Sequence, residues 1–263
     1  MTQTERRRFL IDYLLSERRE TIEIPPDEYT QKRLLRSLLN LRLPKPLSER
    51  FLTVEDAYLQ EEIQHKGITD IADLSPIRQG LYVWQGDITT LKCDAIVNAA
   101  NAQMLGCFYP CHGCIDNAIH TFSGTRLRQS CHELMEAQGH EEPTGSAKIT
   151  PAYNLPCRYV IHTVGPIVSG PLTEQDCTLL RSCYLACLQT AADHNLKSIA
   201  FCCISTGEFH FPREAAAKIA VDTVLAFQQE HQIEVIFNVF KDEDNKIYRD
   251  LLSADGTNQD TAR

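Results

Sequence analysis

Apolar residues recur at helical spacing three times within the first eighty positions. Phe9, Leu10, Tyr13 and Leu14 form one stripe, Leu34, Leu35, Leu38 and Leu39 a second, and Phe51, Val54, Ala57, Tyr58 and Leu59 a third. Pro25-Pro26 and Pro44-Lys45-Pro46 separate the segments, so the pattern predicts short helices. After Gly80 the texture changes. LYVWQGDIT, DAIVNAAN, YVIHTVG, IAFCCIST and VIFNVF are nearly continuous apolar runs and predict buried strands. Between them, residues 115–138, 176–194 and the run REAAAKIAVDTVLAFQQEH carry helical patterns, and DEDNKIYRDLLS closes the series with another. Strands alternating with helices, each strand apolar on both faces, predict an α/β fold with a mainly parallel sheet covered on both sides. The division expected is a helical stretch over 1–79, an α/β domain over 80–253 and a flexible polar tail over 254–263.

Charge and cysteine content narrow the function classes. The chain has 26 basic and 35 acidic residues, net −9, and most of the acidic excess follows Gly80. Phosphate neutralisation along a duplex needs clustered Lys and Arg, so no nucleic-acid partner is expected. A small phosphate ligand remains compatible, since backbone N–H groups hold one without a cation. No apolar run approaches the roughly 18 residues of a membrane span. The N-terminus lacks a small-residue cleavage site and reads as part of the mature chain. The 11 cysteines mostly sit in apolar surroundings, as small hydrophobes of a reduced, cytoplasmic protein.

Ligands of open α/β sheets lie beyond the carboxyl ends of the strands, and four segments fall there: 86–88, 98–112, 162–166 and 205–209. Glycines at 106, 165 and 207 allow close backbone approach to a ligand, and successive N–H groups around Ser205, Thr206, Gly207 and Glu208 suit phosphate oxygens. Asp87, beside Ile88, is placed to accept from a base amino group, and Asn98 and Asn101 to address ribose hydroxyls. Within 107–114 stand Cys107, Cys111, His112 and Cys114. Two thiolates and an imidazole are good zinc ligands, and three local ligands leave a fourth position open, as in catalytic sites. A structural site completed by Cys111 or Cys131, or a loop with no metal, also fits the spacing. Cys111 is the weaker ligand, because adjacent residues rarely point at one ion. Asp116, near the start of a helix, either complements the helix dipole or does chemistry. His120 and Trp84 read as packed residues.

The order GDIT…NAANAQMLG…CIDNAIHTFSG…HTVGP…ISTGEFHFP…VIFNVF resembles the macrodomain family of ADP-ribose-binding and ADP-ribosyl-hydrolysing proteins, and within it the hydrolase branch. The resemblance spans about 80–252. It implies a three-layer α/β/α macrodomain with a mixed, mainly parallel sheet, here carrying a helical N-terminal extension. Where most of the branch has a glycine run, this chain has GCFYPCHGC, similar to the zinc-dependent subgroup with its Cys-x4-His-x-Cys pattern. Cys107, His112 and Cys114 match that pattern, which implies one Zn²⁺ per chain.

The resemblance further implies catalytic roles for Asp116 and Asn101, a distal ribose lying against Asn98, Asn101 and Phe209, and a diphosphate over 205–209 and the Gly106 turn. Phe240 and Asp242 fall where relatives contact adenine, and His210 stands where relatives often have glycine. The activity implied is removal of mono-ADP-ribose from protein side chains, ester-linked Asp or Glu foremost. An ADP-ribose reader without turnover and an O-acetyl-ADP-ribose deacetylase are the alternatives. A class M sirtuin as modifier and a lipoyl-carrier protein as acceptor accompany the subgroup.

Overall fold

Side-chain caps start the first three helices in the computed structural model, which describes residues 1–254. Thr2 and Glu5 form a capping box before α1 (Gln3–Arg18), Asp27 accepts from the Thr30 amide at 2.8 Å before α2 (Glu28–Leu41), and Ser48 caps α3 (Glu49–Lys66). Leu10, Leu14, Leu35, Leu38, Phe51 and Tyr58 close an apolar cluster between them. All three predicted stripes are therefore the packed faces of helices. The tail expected over 254–263 lies, beyond Ala254, outside the described residues.

Next come β1 (Thr69–Asp70), β2 (Leu81–Gln85), β3 (Leu91–Lys92) and β4 (Ala95–Ala100), then α4 (Ile115–Ser123) and α5 (Thr125–Gln138). β5 (Ala147–Pro151), β6 (Tyr159–Val164), α6 (Glu174–Asp193), β7 (Ser198–Phe201), α7 (Arg213–Gln228), β8 (Glu234–Val239) and α8 (Asp242–Ala254) complete the order. Six strands form one sheet in the order β2-β8-β7-β4-β6-β5, parallel throughout except for β5, which runs antiparallel to β6; β1 and β3 pair apart from it. Ile96, Val97, Ile161, Ile199, Val235 and Ile236 are fully buried, as both-face coverage requires. α6, α7 and α8 pack on one another, while α4 and α5 pack together and receive α2 and α3. The result is the expected three-layer α/β/α arrangement with a mixed, mainly parallel sheet. Among the described residues no helix is long and apolar enough to cross a membrane.

Three details differ from the pattern. The helix expected over 115–138 is two helices, broken at Gly124, whose φ of +95° a helix cannot continue through. The strand expected from IAFCCIST stops at Phe201, and its second half becomes the loop beyond the strand end. β5 was not foreseen, because AKITP is half-polar, half-buried and ends in proline, as edge strands do. The chain's course reverses between β4 and β7, which pair over only two residue positions, Ala95 with Ile199 and Ile96 with Ala200. A crevice between loops opens at such a point.

Candidate active site

The loop from β4 to α4 is set by its own polar groups. Asn101 Oδ1 accepts from the Gln103 amide (3.1 Å) and Asn101 Nδ2 donates to the Gly106 carbonyl (3.1 Å). Gly106 has φ +79°, and a Cβ there would lie 2.8 Å from the His120 ring, so the turn admits only glycine.

Beyond it Cys107, His112 and Cys114 bring their ligand atoms within 4.8 Å of one another. Cys107 Sγ and His112 Nδ1 are 3.6 Å apart. Tetrahedral zinc with bonds of about 2.3 Å to sulfur and 2.0–2.1 Å to nitrogen spaces such atoms about 3.6 Å apart, so the donor set fits the ion. Cys114 also caps α4, its Sγ accepting from the Asn117 amide at 3.4 Å. Burial pushes this thiol up to about 12, against that amide, and the positive helix terminus favours its thiolate.

Cys111 faces away, at φ +53°, with Sγ 3.2 Å from Ser37 Oγ on α2. Cys131 is also remote from this set. It lies in a buried group with His120 and His162, its Sγ 3.7 Å from His162 Nε2. Neither cysteine that could have completed a four-ligand structural site is thus brought to it.

Asp116 lies in the first turn of α4, 5% exposed. Its Oδ1 accepts from Asn98 Nδ2 at 2.8 Å, and His120 Nε2 stands 3.5 Å away. Burial raises its carboxyl to about 6, against the Asn98 bond and the Arg128 charge. Asn98, expected at a ribose hydroxyl, is instead fully buried, and its amide is shared between Asp116 and His162 Nδ1 (3.1 Å). Its amide thereby holds Asp116 in place from the strand side. His120 is packed as expected, but neither ring nitrogen has a hydrogen-bond partner. Burial, with Arg128 and His162 nearby, holds its pKa well below the ordinary histidine value and so keeps the ring neutral.

The facing wall is the loop after β7. Ser205 has φ +64° and a buried hydroxyl without a partner, and His210, where glycine was the familiar residue, takes φ +56°. Thr206 and His210 amides bond inside the loop, to Cys203 and Gly207 carbonyls, whereas those of Gly207, Glu208 and Phe209 make no bond among the described residues. Phe209 is half-buried, its carbonyl accepting from the Val168 amide at 2.9 Å, which ties this loop to the one after β6. Glu208 Oε1 lies 3.8 Å from His112 Nε2, so the two walls meet at the loop that carries the Cys107, His112 and Cys114 donors.

At the other end, Asp87 caps a 3-10 turn (Ile88–Thr90), with Oδ1 accepting from Thr89 N and Oγ1. Its Oδ2 accepts from Lys66 Nζ at 2.8 Å. Burial alone would raise its pKa, but Lys66 and the Thr89 bonds outweigh it and hold the carboxyl below the usual range. Ile88 is buried in the core, so only its backbone can face a ligand. Phe240, just past β8, is 75% exposed, and Gln85 Nε2 bonds both its carbonyl and Asp242. Trp84 is half-buried against the core, as expected.

The sequence did not point to Lys66, Arg36 or Asn117. Lys66 is 21 residues from Asp87, and Arg36 lies 81 residues from Asn117, in a helix with no chemical motif of its own. The N-terminal helices are accordingly more than an appendage, since they touch both ends of the site.

A family model described as Macro domain matches residues 97–220. A protein-ADP-ribose hydrolase of Treponema medium is 57% identical over 261 residues, covering 96% of this chain and 100% of that one. Among solved structures, the Oceanobacillus iheyensis macrodomain with ADP superposes with a TM-score of 0.62 at 38% identity, over 68% of this chain and 92% of its own. The Trypanosoma brucei macrodomain in complex with ADP-ribose gives 0.64 at 28% identity, over 88% and 97%.

Proposed function

Because the chain belongs to the macrodomain family, we propose that it is a zinc-dependent hydrolase that removes mono-ADP-ribose from modified protein side chains, the ester of an Asp or Glu being the bond cut. Hydrolysis as such is supported by 57% identity to a protein-ADP-ribose hydrolase along nearly the whole chain. The observation that carries the finer reading is the meeting of a Cys107–His112–Cys114 donor set with a buried carboxylate, Asp116, two residues further on. Three ligands leave a coordination position for substrate or water. Zinc held there supplies Lewis acidity, tempered by two thiolates that neutralise its formal charge.

The chain's own groups do the rest. The Gly207, Glu208 and Phe209 amides and the Ser205 hydroxyl offer donors for the diphosphate. Asp87 and Phe240 border the adenine end. Asn101 and Gly106 shape the turn under the distal ribose, and Phe209 flanks it. Asn98 occupies one oxygen of Asp116 and leaves Oδ2 to orient the attacking water and take its proton. The modified acceptor we propose is a protein, with a lipoyl-carrier protein modified by a class M sirtuin as the first to try.

Incubation with an acceptor carrying ester-linked ADP-ribose tests this. Wild-type protein should release free ADP-ribose, a chelator should abolish the release, and zinc should restore it. Asp116→Asn should lose at least about 100-fold in rate while still binding ADP-ribose. Cys107→Ser and His112→Ala should hold well below one equivalent of zinc by elemental analysis. Release that persists undiminished in the chelated protein or in Cys107→Ser overturns the zinc reading. Tight ADP-ribose binding without release by the wild type makes the chain a reader instead.

A further inference from the structure

Few of the bonds that shape the metal-binding loop come from within it. The His112 amide donates to the Tyr109 carbonyl at 3.2 Å, a weak internal turn. The other supports reach in from outside. Asn117, fully buried on α4, donates through Nδ2 to the Tyr109 carbonyl (3.0 Å) and the Cys107 carbonyl (3.4 Å). Its own Oδ1 is held by Arg36 of α2, through Nε at 3.1 Å and Nη2 at 2.7 Å. The same Arg36 Nη2 donates to the His112 carbonyl at 3.0 Å. One turn on, the buried Asn40 accepts from the Cys111 amide at 2.9 Å, and Ser37 meets the Cys111 thiol. On the far side Arg128 donates to the Leu105 carbonyl at 2.7 Å, lies over the Phe108 ring and bonds the Leu39 carbonyl at the end of α2.

We propose that α2 is the brace of the metal-binding loop, with Arg36 as a positioning residue that fixes Asn117 and the His112 backbone so that Cys107, His112 and Cys114 are presented together. This deepens the zinc reading and rests on it for the identity of the ion. The physical case is geometric. A planar guanidinium donates to two acceptors at fixed angles, which a flexible ammonium cannot reproduce. The Arg36 fork thereby locks the rotamer of Asn117, and Asn117 locks two loop carbonyls. Groups that orient metal ligands from behind matter to affinity almost as much as the ligands, with losses of about 10–100-fold on removal. Cys111 has a role in the same device. Beside the His112 carbonyl it is a second position at which the loop is pinned to α2, which is why its thiol faces away from the other three donors.

The test uses the full chain and two readouts. Hydrogen exchange of amides 107–114 is measured in zinc-free protein, and zinc affinity by competition with a chromophoric chelator. Arg36→Met should speed exchange across the loop by about tenfold or more and weaken zinc by about 10–100-fold. Arg36→Lys should restore neither fully. Asn40→Ala, a milder change, should release the Cys111 amide. Arg50→Met, which removes an arginine stacked on Phe9 in the same helices, should change neither readout. Loop exchange in Arg36→Met and Asn40→Ala equal to that of Arg50→Met overturns the brace, and so does wild-type zinc affinity in a folded Arg36→Met. Failure of the unmutated chain to take up zinc would sink the zinc reading alone, and the exchange comparison would still decide the brace.

Discussion

Glu55 illustrates how a single buried residue acquires a function its sequence context does not announce. It projects from α3 onto the start of α5, where both carboxylate oxygens accept from the Thr125 amide at 3.2 Å and one accepts from the Thr125 hydroxyl at 2.7 Å. Burial dominates and lifts its pKa from 4.5 to about 7, against those bonds. Between these two values the folded chain holds a proton that the unfolded chain has lost, so this group's contribution to stability falls as pH rises through the window. Glu55→Gln removes the titration. The difference in unfolding free energy between variant and wild type should shift toward the variant by about 2–3 kcal/mol between pH 4.5 and 8, measured by urea denaturation. A pH-independent difference would contradict the assignment. Asp116 is a second carboxylate raised by burial, but its environment differs: an asparagine amide rather than a helix start holds it, and its second oxygen is unbonded among the described residues.

At the scale of elements, the loop from β4 to α4 depends on one backbone conformation. Gly106 combines a positive φ with contact against the His120 ring. Gly106→Ala should therefore cost at least about 2 kcal/mol, from the left-handed conformation and the displaced ring together. It should also lower zinc uptake, because Cys107 follows directly. Denaturation and elemental analysis on the same sample check both, and a fully stable variant with one equivalent of zinc would refute this account. The break at Gly124 belongs to the same scale. The apolar pattern of residues 115–138 continues across it, and only the backbone dihedral separates α4, which carries Asp116, from α5, which carries Arg128.

For the whole molecule, the consequential fact is where the N-terminal helices dock. Lys66, the last residue of α3, places its ammonium on Asp87 and over the Phe122 ring. One of these helices therefore holds a carboxylate that borders the candidate site. Lys66→Met should weaken ADP-ribose binding by about 3–10-fold, read by calorimetry, because the loss of one partly buried charge-assisted bond frees Asp87 to reorient. Unchanged affinity would return the helices to a purely structural role at that end.

What the sequence determined by itself is the set of features that depend on local pattern. The helical stripes, the buried parallel strands, the loops at strand ends and the Cys107, His112 and Cys114 spacing are all properties of neighbours in the chain, where periodicity and composition act directly. The tertiary structure alone decided which groups meet across the chain. Asn98 meets Asp116 because α4 docks against β4. Cys111 turns to α2, and Arg36 reaches Asn117 across 81 residues, because helix docking brings them together. Such contacts follow from the packing of faces, and no local pattern encodes which polar side chain will stand opposite another once those faces close.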